Sequence, residues 1–128
     1  MTVFSRIIAG EIPSYKIYED EFVYAFLDIR PLQLGHTLII PKIEIDHILD
    51  VTEPYYSAMW QAAKIIGKAL QQATGCKKIS TLTLGMEVPH AHLHLIPINS
   101  EADIDQSLAH TETPETMREI QEKIISYL

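Results

Sequence analysis

Three histidines in one short segment have the residue type and spacing that chemistry requires. The segment Pro89–Pro97 places His90, His92 and His94 in strict alternation with apolar residues. Alternate residues of a strand lie on one face, about 6.7 Å apart, so a strand would align the three imidazoles. An imidazole with a pKa of about 6.5 is largely neutral at pH 7 and can attack phosphorus or relay a proton. The row therefore predicts a reactive site.

Two other interpretations of the histidine row compete with catalysis. A single histidine in a strand is most often a satisfied structural residue, although three in alternation weaken that interpretation. Neutral imidazoles also bind zinc, and two alternate histidines can chelate it. A regular strand separates the α-carbons of His90 and His94 by roughly 13 Å, which makes it hard for one ion to take all three rings. A two-histidine metal site would need ligands from elsewhere.

Composition limits the class of protein. The chain has 128 residues, with 17 acidic and 10 basic side chains and a net charge of −7. Such a charge argues against a binder of duplex nucleic acid with a broad basic face, but leaves room for a local phosphate pocket. The length predicts a single domain spanning residues 1–128. No apolar run approaches the length of a membrane span, and no signal peptide is evident.

The cysteine content points to a cellular compartment. Cys76 is the only cysteine, so the chain can form neither an internal disulfide nor a cysteine zinc cluster. Because disulfides are rare in reducing compartments, we expect a cytoplasmic protein.

The pattern along the chain predicts an α+β fold. Apolar runs between prolines and glycines predict strands over 15–19, 22–29, 37–40, 78–84 and 90–98. The run over 37–40 suits a strand buried on both faces near the centre of a mostly antiparallel sheet. Short helices are expected over 3–9 and in a C-terminal extension of about 114–128, the latter with an apolar face that includes Tyr127. One long helix, capped by Thr52 and ended by Gly75, should cover one face of the sheet. The polar, acidic connection between residues 99 and 113 could be a lid, a dimer contact or a solvated loop, of which we favour the loop.

The sequence resembles the histidine triad (HIT) family, in its small Hint-like branch of nucleoside phosphoramidate hydrolases. The signature His-x-His-x-His followed by two apolar residues is complete. Further similarity lies in the segments Phe4–Tyr18, Ala25–Lys42 and Gly85–Pro97. The resemblance implies a HIT-like fold and a homodimer in which the long helix and an edge strand pair across a two-fold axis. It also implies a purine nucleotide or nucleotide conjugate as substrate.

The resemblance also implies a role for each histidine. His92 would attack the α-phosphorus and form a nucleotidyl-histidine that water hydrolyses. His94 would hydrogen-bond the phosphate or the bridging oxygen, and His90 would help to fix the imidazole row. His36 matches a fourth family histidine at the edge of the site. Covalent catalysis of this kind needs no metal, so no cofactor is expected.

The nucleotide-binding residues implied by the resemblance lie in two segments. Asp28 matches the family's ribose-binding acid, although composition alone favours a turn aspartate before Pro31. The expected apolar walls around the base are Phe26, Leu27 and Ile29. The expected phosphate loop comprises Gly85, Met86, Glu87 and Val88.

The sequence departs from the family pattern in two places. Many members bind a structural zinc through two cysteines, a histidine and the first triad histidine, but here three of these positions are Thr2, Ser5 and Glu44. A zinc-free variant is therefore expected. Ile79 stands where an Asn is usual, and Met86-Glu87 replaces a Gln-Ser/Thr pair. A glutamate beside a phosphate is unfavourable unless it binds a cationic leaving amine or turns away.

Three functions are consistent with these residues. The first is a hydrolase that cleaves nucleoside 5′-phosphoramidates or related conjugates. The second is a nucleotide-binding regulatory module with little turnover, which Ile79, Met86 and Glu87 favour. The third is a dinucleotide polyphosphate hydrolase or nucleotidyl transferase.

Overall fold

A five-stranded sheet organises the computed structural model, which describes all residues 1–128. Its strands are β1 (Lys16–Glu19), β2 (Val23–Leu27), β3 (Thr37–Pro41), β4 (Lys78–Leu82) and β5 (Leu93–Ile98). The helices are α1 (Val3–Ile8), α2 (Tyr55–Thr74) and α3 (Pro114–Ile125). All neighbouring strands are antiparallel, in the order β1-β2-β3-β5-β4. The predicted α+β class is confirmed.

The central position of β3 agrees with its apolar sequence. Every residue of β2 and β3 is buried, because packed side chains cover both faces of the sheet. On one face, α2 and α3 pack over a cluster of 19 buried apolar residues, which we call the main core. On the opposite face, α1 packs over a smaller cluster of six: Phe4, Ile7, Tyr24, Phe26, Leu38 and Ile40.

The long helix is present, but its start differs from the prediction. Thr52 does not cap it, because α2 begins at Tyr55. The Glu53 carboxylate accepts hydrogen bonds from Ser57 N and Oγ instead, so an acidic side chain satisfies the first turn. The helix ends as predicted at Gly75, whose φ of 70° is left-handed. None of the helices is both long and apolar enough to cross a bilayer.

The C-terminal segment packs against the rest of the chain. Thr113 Oγ1 caps α3 by accepting from Thr116 N, and Pro114 occupies its first turn. Met117, Ile120 and Ile124 enter the main core. Tyr127 lies beyond the helix and is exposed, so its predicted place on the apolar face is wrong. The extent of the single domain, residues 1–128, stays a prediction that this packing supports.

The connection between β5 and α3 is not a freely solvated loop. Residues 101–104 and 106–108 form two short 3-10 turns. Gln33 Nε2 donates to the Asp103 carbonyl oxygen, and His110 N donates to the Pro31 carbonyl oxygen. These bonds hold the connection against the segment that leads into β3.

Candidate active site

The histidine row does not begin as a strand. The predicted strand over 90–98 is wrong at its start, because β5 begins at Leu93 and only His94 lies within it. Ahead of it, His90 N donates to the Val88 carbonyl oxygen and Ala91 N donates to the Ile45 carbonyl oxygen. The rings of His92 and His94 nevertheless lie 5.0 Å apart, centroid to centroid.

The hydrogen bonds of His92 leave one ring nitrogen free to react. Its Nδ1 lies 2.8 Å from the His90 carbonyl oxygen. Because a carbonyl oxygen only accepts, Nδ1 carries the proton and the lone pair is on Nε2. No buried side-chain nitrogen or oxygen lacks a partner, so the unbonded Nε2 faces the solvent of the adjacent cleft.

A chain of hydrogen bonds fixes the tautomers of His36 and His94. Leu32 N donates to His36 Nδ1 at 3.1 Å, so the His36 proton is on Nε2. His36 Nε2 lies 2.9 Å from His94 Nδ1 and therefore donates to it. The neutral His94 ring then carries its own proton on Nε2. The cleft thus contains a lone pair on His92 next to an N–H donor on His94.

Burial keeps the inner histidines uncharged. Loss of solvent, together with the nearby rings of His36 and His92, lowers the pKa of His94 to about 3. Burial also lowers the pKa of His36, against the opposing charge of Asp28. The pKa of His90 is lowered for the same reason. At neutral pH His94 is therefore a neutral hydrogen-bond donor rather than a general acid.

Asp28 lies at the edge of this histidine chain and also shapes a turn. Its Oδ1 accepts from Arg30 N at 2.9 Å, which is the turn contact that composition favours. Its Oδ2 lies 3.7 Å from His36 Nε2. Asp28 lines the cleft with His36, His92 and His94, so one carboxylate oxygen remains available to a ligand.

The three residues expected to surround the base are separated by the sheet. Phe26 pairs with Leu38, which pairs with His94, so Phe26 shares the histidine face and is buried beneath α1. Leu27 is 1% exposed within the main core on the opposite face, so the expectation that it lines the cleft is wrong. The cause is strand alternation. Ile29 lies beyond the end of β2 and is 69% exposed.

Three of the four expected loop residues line the cleft. Gly85, Met86 and Glu87 do so, whereas Val88 packs against the smaller apolar cluster. Gly85 has a φ of 65°, which a glycine adopts without strain. Met86 is 92% exposed at the rim. Ile79 lies in β4 and packs against the main core, so it is not part of the cleft.

Sequence reasoning missed one wall of the cleft. The cleft has a volume of about 390 Å³, and Arg30, Gln106 and Ala109 also line it. Arg30 Nη2 donates to the Ala109 carbonyl oxygen at 3.3 Å and so ties the two sides together. Arg30 lies two residues from Asp28, inside the segment Ala25–Lys42 that resembles the family, so its position near the site could have been predicted. Gln106 and Ala109 lie in the connection, where no motif marked them.

One group of cleft residues has ligand atoms close enough together to hold a metal ion. The positions of the histidine protons, however, do not favour metal binding. Ligand atoms of Asp28, His36 and His94 lie within 4.8 Å of one another. A metal would need the lone pair of His36 Nε2. The Leu32 N–H forces that nitrogen to carry a proton, which His94 Nδ1 accepts. The donor set therefore favours a hydrogen-bond chain.

Comparisons with known proteins identify the family to which this fold belongs. The family model described as HIT domain matches residues 9–101. The chain belongs to the HIT family, and its relatives support the Hint-like branch.

Three relatives illustrate the range of the family. "Protein hit" of Bacillus subtilis is 39% identical over 106 residues, covering 79% of this chain and 73% of that protein. The adenosine 5′-monophosphoramidase HNT1 of Saccharomyces cerevisiae is 38% identical over 100 residues, covering 77% of this chain and 63% of that enzyme. The adenylylsulfatase HINT3 of Arabidopsis thaliana is 36% identical over 100 residues, covering 74% of this chain and 51% of that enzyme.

Two solved structures show that the similarity extends over the whole chain. A Hit-like protein from Bartonella henselae superposes with a TM-score of 0.88 and is 32% identical, covering 99% of this chain and 96% of its own. A zinc-bound histidine triad family protein from Mycobacterium smegmatis has a TM-score of 0.82 and 27% identity, covering 98% and 91%. Both alignments include the C-terminal helix.

The zinc in the mycobacterial relative raises the question of whether this chain can hold one. The structure brings Thr2, Ser5 and Glu44 together around His90. Zinc selects thiolate, imidazole and carboxylate ligands, whereas two of these four side chains are hydroxyls. His90 Nδ1 is already bonded to Thr2 Oγ1, at 2.8 Å. These residues do not fit a structural zinc site.

Proposed function

We propose that the protein hydrolyses nucleoside 5′-phosphoramidates or related nucleotide conjugates at the α-phosphorus. Related HIT proteins are nucleotide hydrolases, which supports the general class. The observation that carries the specific proposal is the pair of ring nitrogens in the cleft. His92 Nε2 offers a lone pair, and His94 Nε2 offers a proton in a hydrogen bond.

The proposed reaction has two displacements. His92 Nε2 attacks phosphorus, an N–P bond forms, and the bond to the leaving group breaks. The ring becomes cationic, and its Nδ1–H remains bonded to the His90 carbonyl oxygen, which stabilises that charge. The leaving amine takes its proton from water. A water molecule then attacks phosphorus and gives its proton to the hydroxide left by the first step, the N–P bond breaks with its electron pair returning to His92 Nε2, and the nucleoside monophosphate leaves.

The other expected site residues are assigned to binding: Asp28, His94 and Glu87 line the cleft, and Ile29 lies outside its lining. The free Oδ2 of Asp28 would accept from ribose hydroxyls, and exposed Ile29 would contact the purine base. His94 Nε2–H would bond a phosphate oxygen, strengthening as negative charge develops. Glu87 lines the same cleft, so we assign the leaving group to the amine class, whose positive charge it would attract.

Turnover of adenosine 5′-phosphoramidate tests the proposal. Wild-type protein should release AMP and show a nucleotidyl adduct by intact mass, and His92→Ala should lose both. Glu122→Ala is the control, because Glu122 is exposed on α3 and lines neither of the two clefts that contain His92. Unchanged AMP release by His92→Ala would contradict the assignment of the nucleophile.

The same assay distinguishes two other functions from the proposed one. If Glu87 repels the phosphate instead of attracting a leaving amine, the cleft suits a nucleotide-binding module with little turnover. That function predicts AMP binding by calorimetry without AMP release. Preference for diadenosine polyphosphates would instead indicate a dinucleotide polyphosphate hydrolase or nucleotidyl transferase.

The expected homodimer and cytoplasmic location stay predictions. The outer edge of β4 is unpaired, and Trp60 on the neighbouring face of α2 is 37% exposed. We assign this face to self-association. Trp60→Arg should shift the mass measured by light scattering toward the monomer, whereas Ile125→Arg on α3 should not.

A further inference from the structure

A cluster of polar side chains joins the N-terminal helix to the start of the histidine row. Thr2 Oγ1 lies 2.8 Å from His90 Nδ1, and Ser5 N donates to Thr2 Oγ1 at 3.0 Å. The Glu44 carboxylate accepts from Thr2 N and, at 3.0 Å, from Ser5 Oγ. We call Thr2, Ser5, Glu44 and His90 the N-terminal clamp.

The proton positions within the clamp are determined by its partners. His90 Nε2 lies 2.9 Å from the Pro41 carbonyl oxygen, which only accepts, so Nε2 carries the proton. His90 Nδ1 is therefore an acceptor, and the Thr2 hydroxyl donates to it. The same hydroxyl oxygen accepts the Ser5 N–H and thereby caps α1. One hydroxyl thus fixes both a helix start and a histidine ring.

The clamp connects to the reactive ring through the main chain. The ring of His90 is 1% exposed and held on both nitrogens. The carbonyl oxygen of His90 accepts the proton of His92 Nδ1 at 2.8 Å. A displacement of His90 would therefore move the group that keeps the His92 lone pair on Nε2. Phe4 of α1 also packs edge-on against His92, with ring centroids 5.0 Å apart.

We propose that Thr2 and Glu44 are positioning residues that hold His92 in its reactive tautomer through His90, without a metal ion. The proposal rests on the proposed function for its effect on turnover, but its structural part stands independently of it. The hydroxyl, carboxylate and imidazole contacts fix the N-terminal helix to the row. Zinc would find the lone pair of His90 Nδ1 already occupied.

Nitrogen-15 NMR of the imidazoles tests the structural part without an assay of turnover. In wild-type protein, His92 should show a protonated Nδ1 and an unprotonated Nε2. Thr2→Val keeps the shape of the side chain but removes the hydroxyl, so the His90 and His92 ring signals should shift toward mixed tautomers. Thr2→Ser should restore them. Unchanged ring signals in Thr2→Val would overturn the proposal.

Kinetics and metal analysis complete the test. Thr2→Val and Glu44→Gln should lower kcat about tenfold, the equivalent of about 1.4 kcal/mol, while the dissociation constant for AMP stays within about twofold. Glu11→Gln is the control, since Glu11 is exposed and lies outside the clamp. A chelator should leave the wild-type melting temperature unchanged. Stoichiometric zinc whose removal lowers that temperature would overturn the metal-free clamp, and normal NMR signals without turnover would count only against the proposed function.

Discussion

The two faces of the sheet are covered by different kinds of side chain. The main core consists of 19 buried apolar residues. The opposite face has only six buried apolar residues, and beside them the histidine rings bond to backbone and hydroxyl groups. Strand alternation separates the two, because Leu93 enters the main core while the adjacent His94 faces the cleft. We infer that stability depends mainly on one face and chemistry on the other.

The largest expected effect comes from breaking the main core inside the functional strand. Leu93 is fully buried, so Leu93→Ala should lower the free energy of unfolding by about 2–5 kcal/mol. Urea denaturation measures this change. His92→Ala, the adjacent change, should cost less stability while abolishing turnover. Equal losses of stability in the two variants would show that the faces are not separable.

A smaller effect is expected where the main core approaches the site. Gly35 precedes His36 and has a φ of 98°, and a Cβ there would lie 2.9 Å from Leu70 Cδ1. Gly35→Ala should therefore cost about 1–3 kcal/mol by overpacking and strain. It should also weaken AMP binding by displacing His36. Thermal melting and calorimetry measure the two effects.

A second glycine separates strain from crowding in that experiment. Gly10 also has a positive φ, 79°, but a Cβ there would meet nothing within 4 Å. Gly10→Ala should lose less stability than Gly35→Ala and leave AMP binding unchanged. The same loss in both variants would attribute the Gly35 effect to backbone conformation alone.

The pH dependence of stability should report the buried histidines. Burial lowers the pKa of His94 to about 3 and also lowers the pKa values of His36 and His90. Between that range and about pH 6.5 the unfolded chain binds more protons than the folded one, so stability falls on acidification. From pH 6.5 to pH 5 the loss attributable to His94 is about 2 kcal/mol.

Variants at two histidines should change that profile in opposite senses. His94→Asn should make the profile between pH 6.5 and pH 5 shallower. The pKa of His110 is raised by hydrogen bonds to the Leu108 carbonyl oxygen and Glu112, so its contribution is present at low pH and lost as pH rises. Its stabilisation offsets part of the acid loss, so His110→Asn should make the profile between pH 6.5 and pH 5 steeper. A wild-type free energy of unfolding that is flat from pH 7 to pH 5 would contradict this account.

Sequence alone predicted the sheet, the central strand and the histidine row, because each follows a local pattern. The family resemblance placed Leu27 beside the base, whereas strand alternation puts it in the main core, on the face opposite Phe26. Sequence alone could not predict that Ala91 N bonds to the Ile45 carbonyl oxygen and delays the start of β5. The contact between Arg30 and Ala109 was equally out of reach, since it joins residues 79 positions apart.

The smallest expected effect compares one aromatic pair from each face. Phe4 packs edge-on against His92 at 5.0 Å, and Phe22 packs edge-on against Tyr55 at 5.7 Å beside the main core. Leucine at either position keeps apolar bulk but loses about 0.5–1.5 kcal/mol of edge contact. Phe4→Leu should therefore lower kcat about two- to tenfold. Phe22→Leu should lower the melting temperature with kcat unchanged, and an equal decrease of kcat in both variants would mean that the reactive ring responds to the whole fold rather than to its own face.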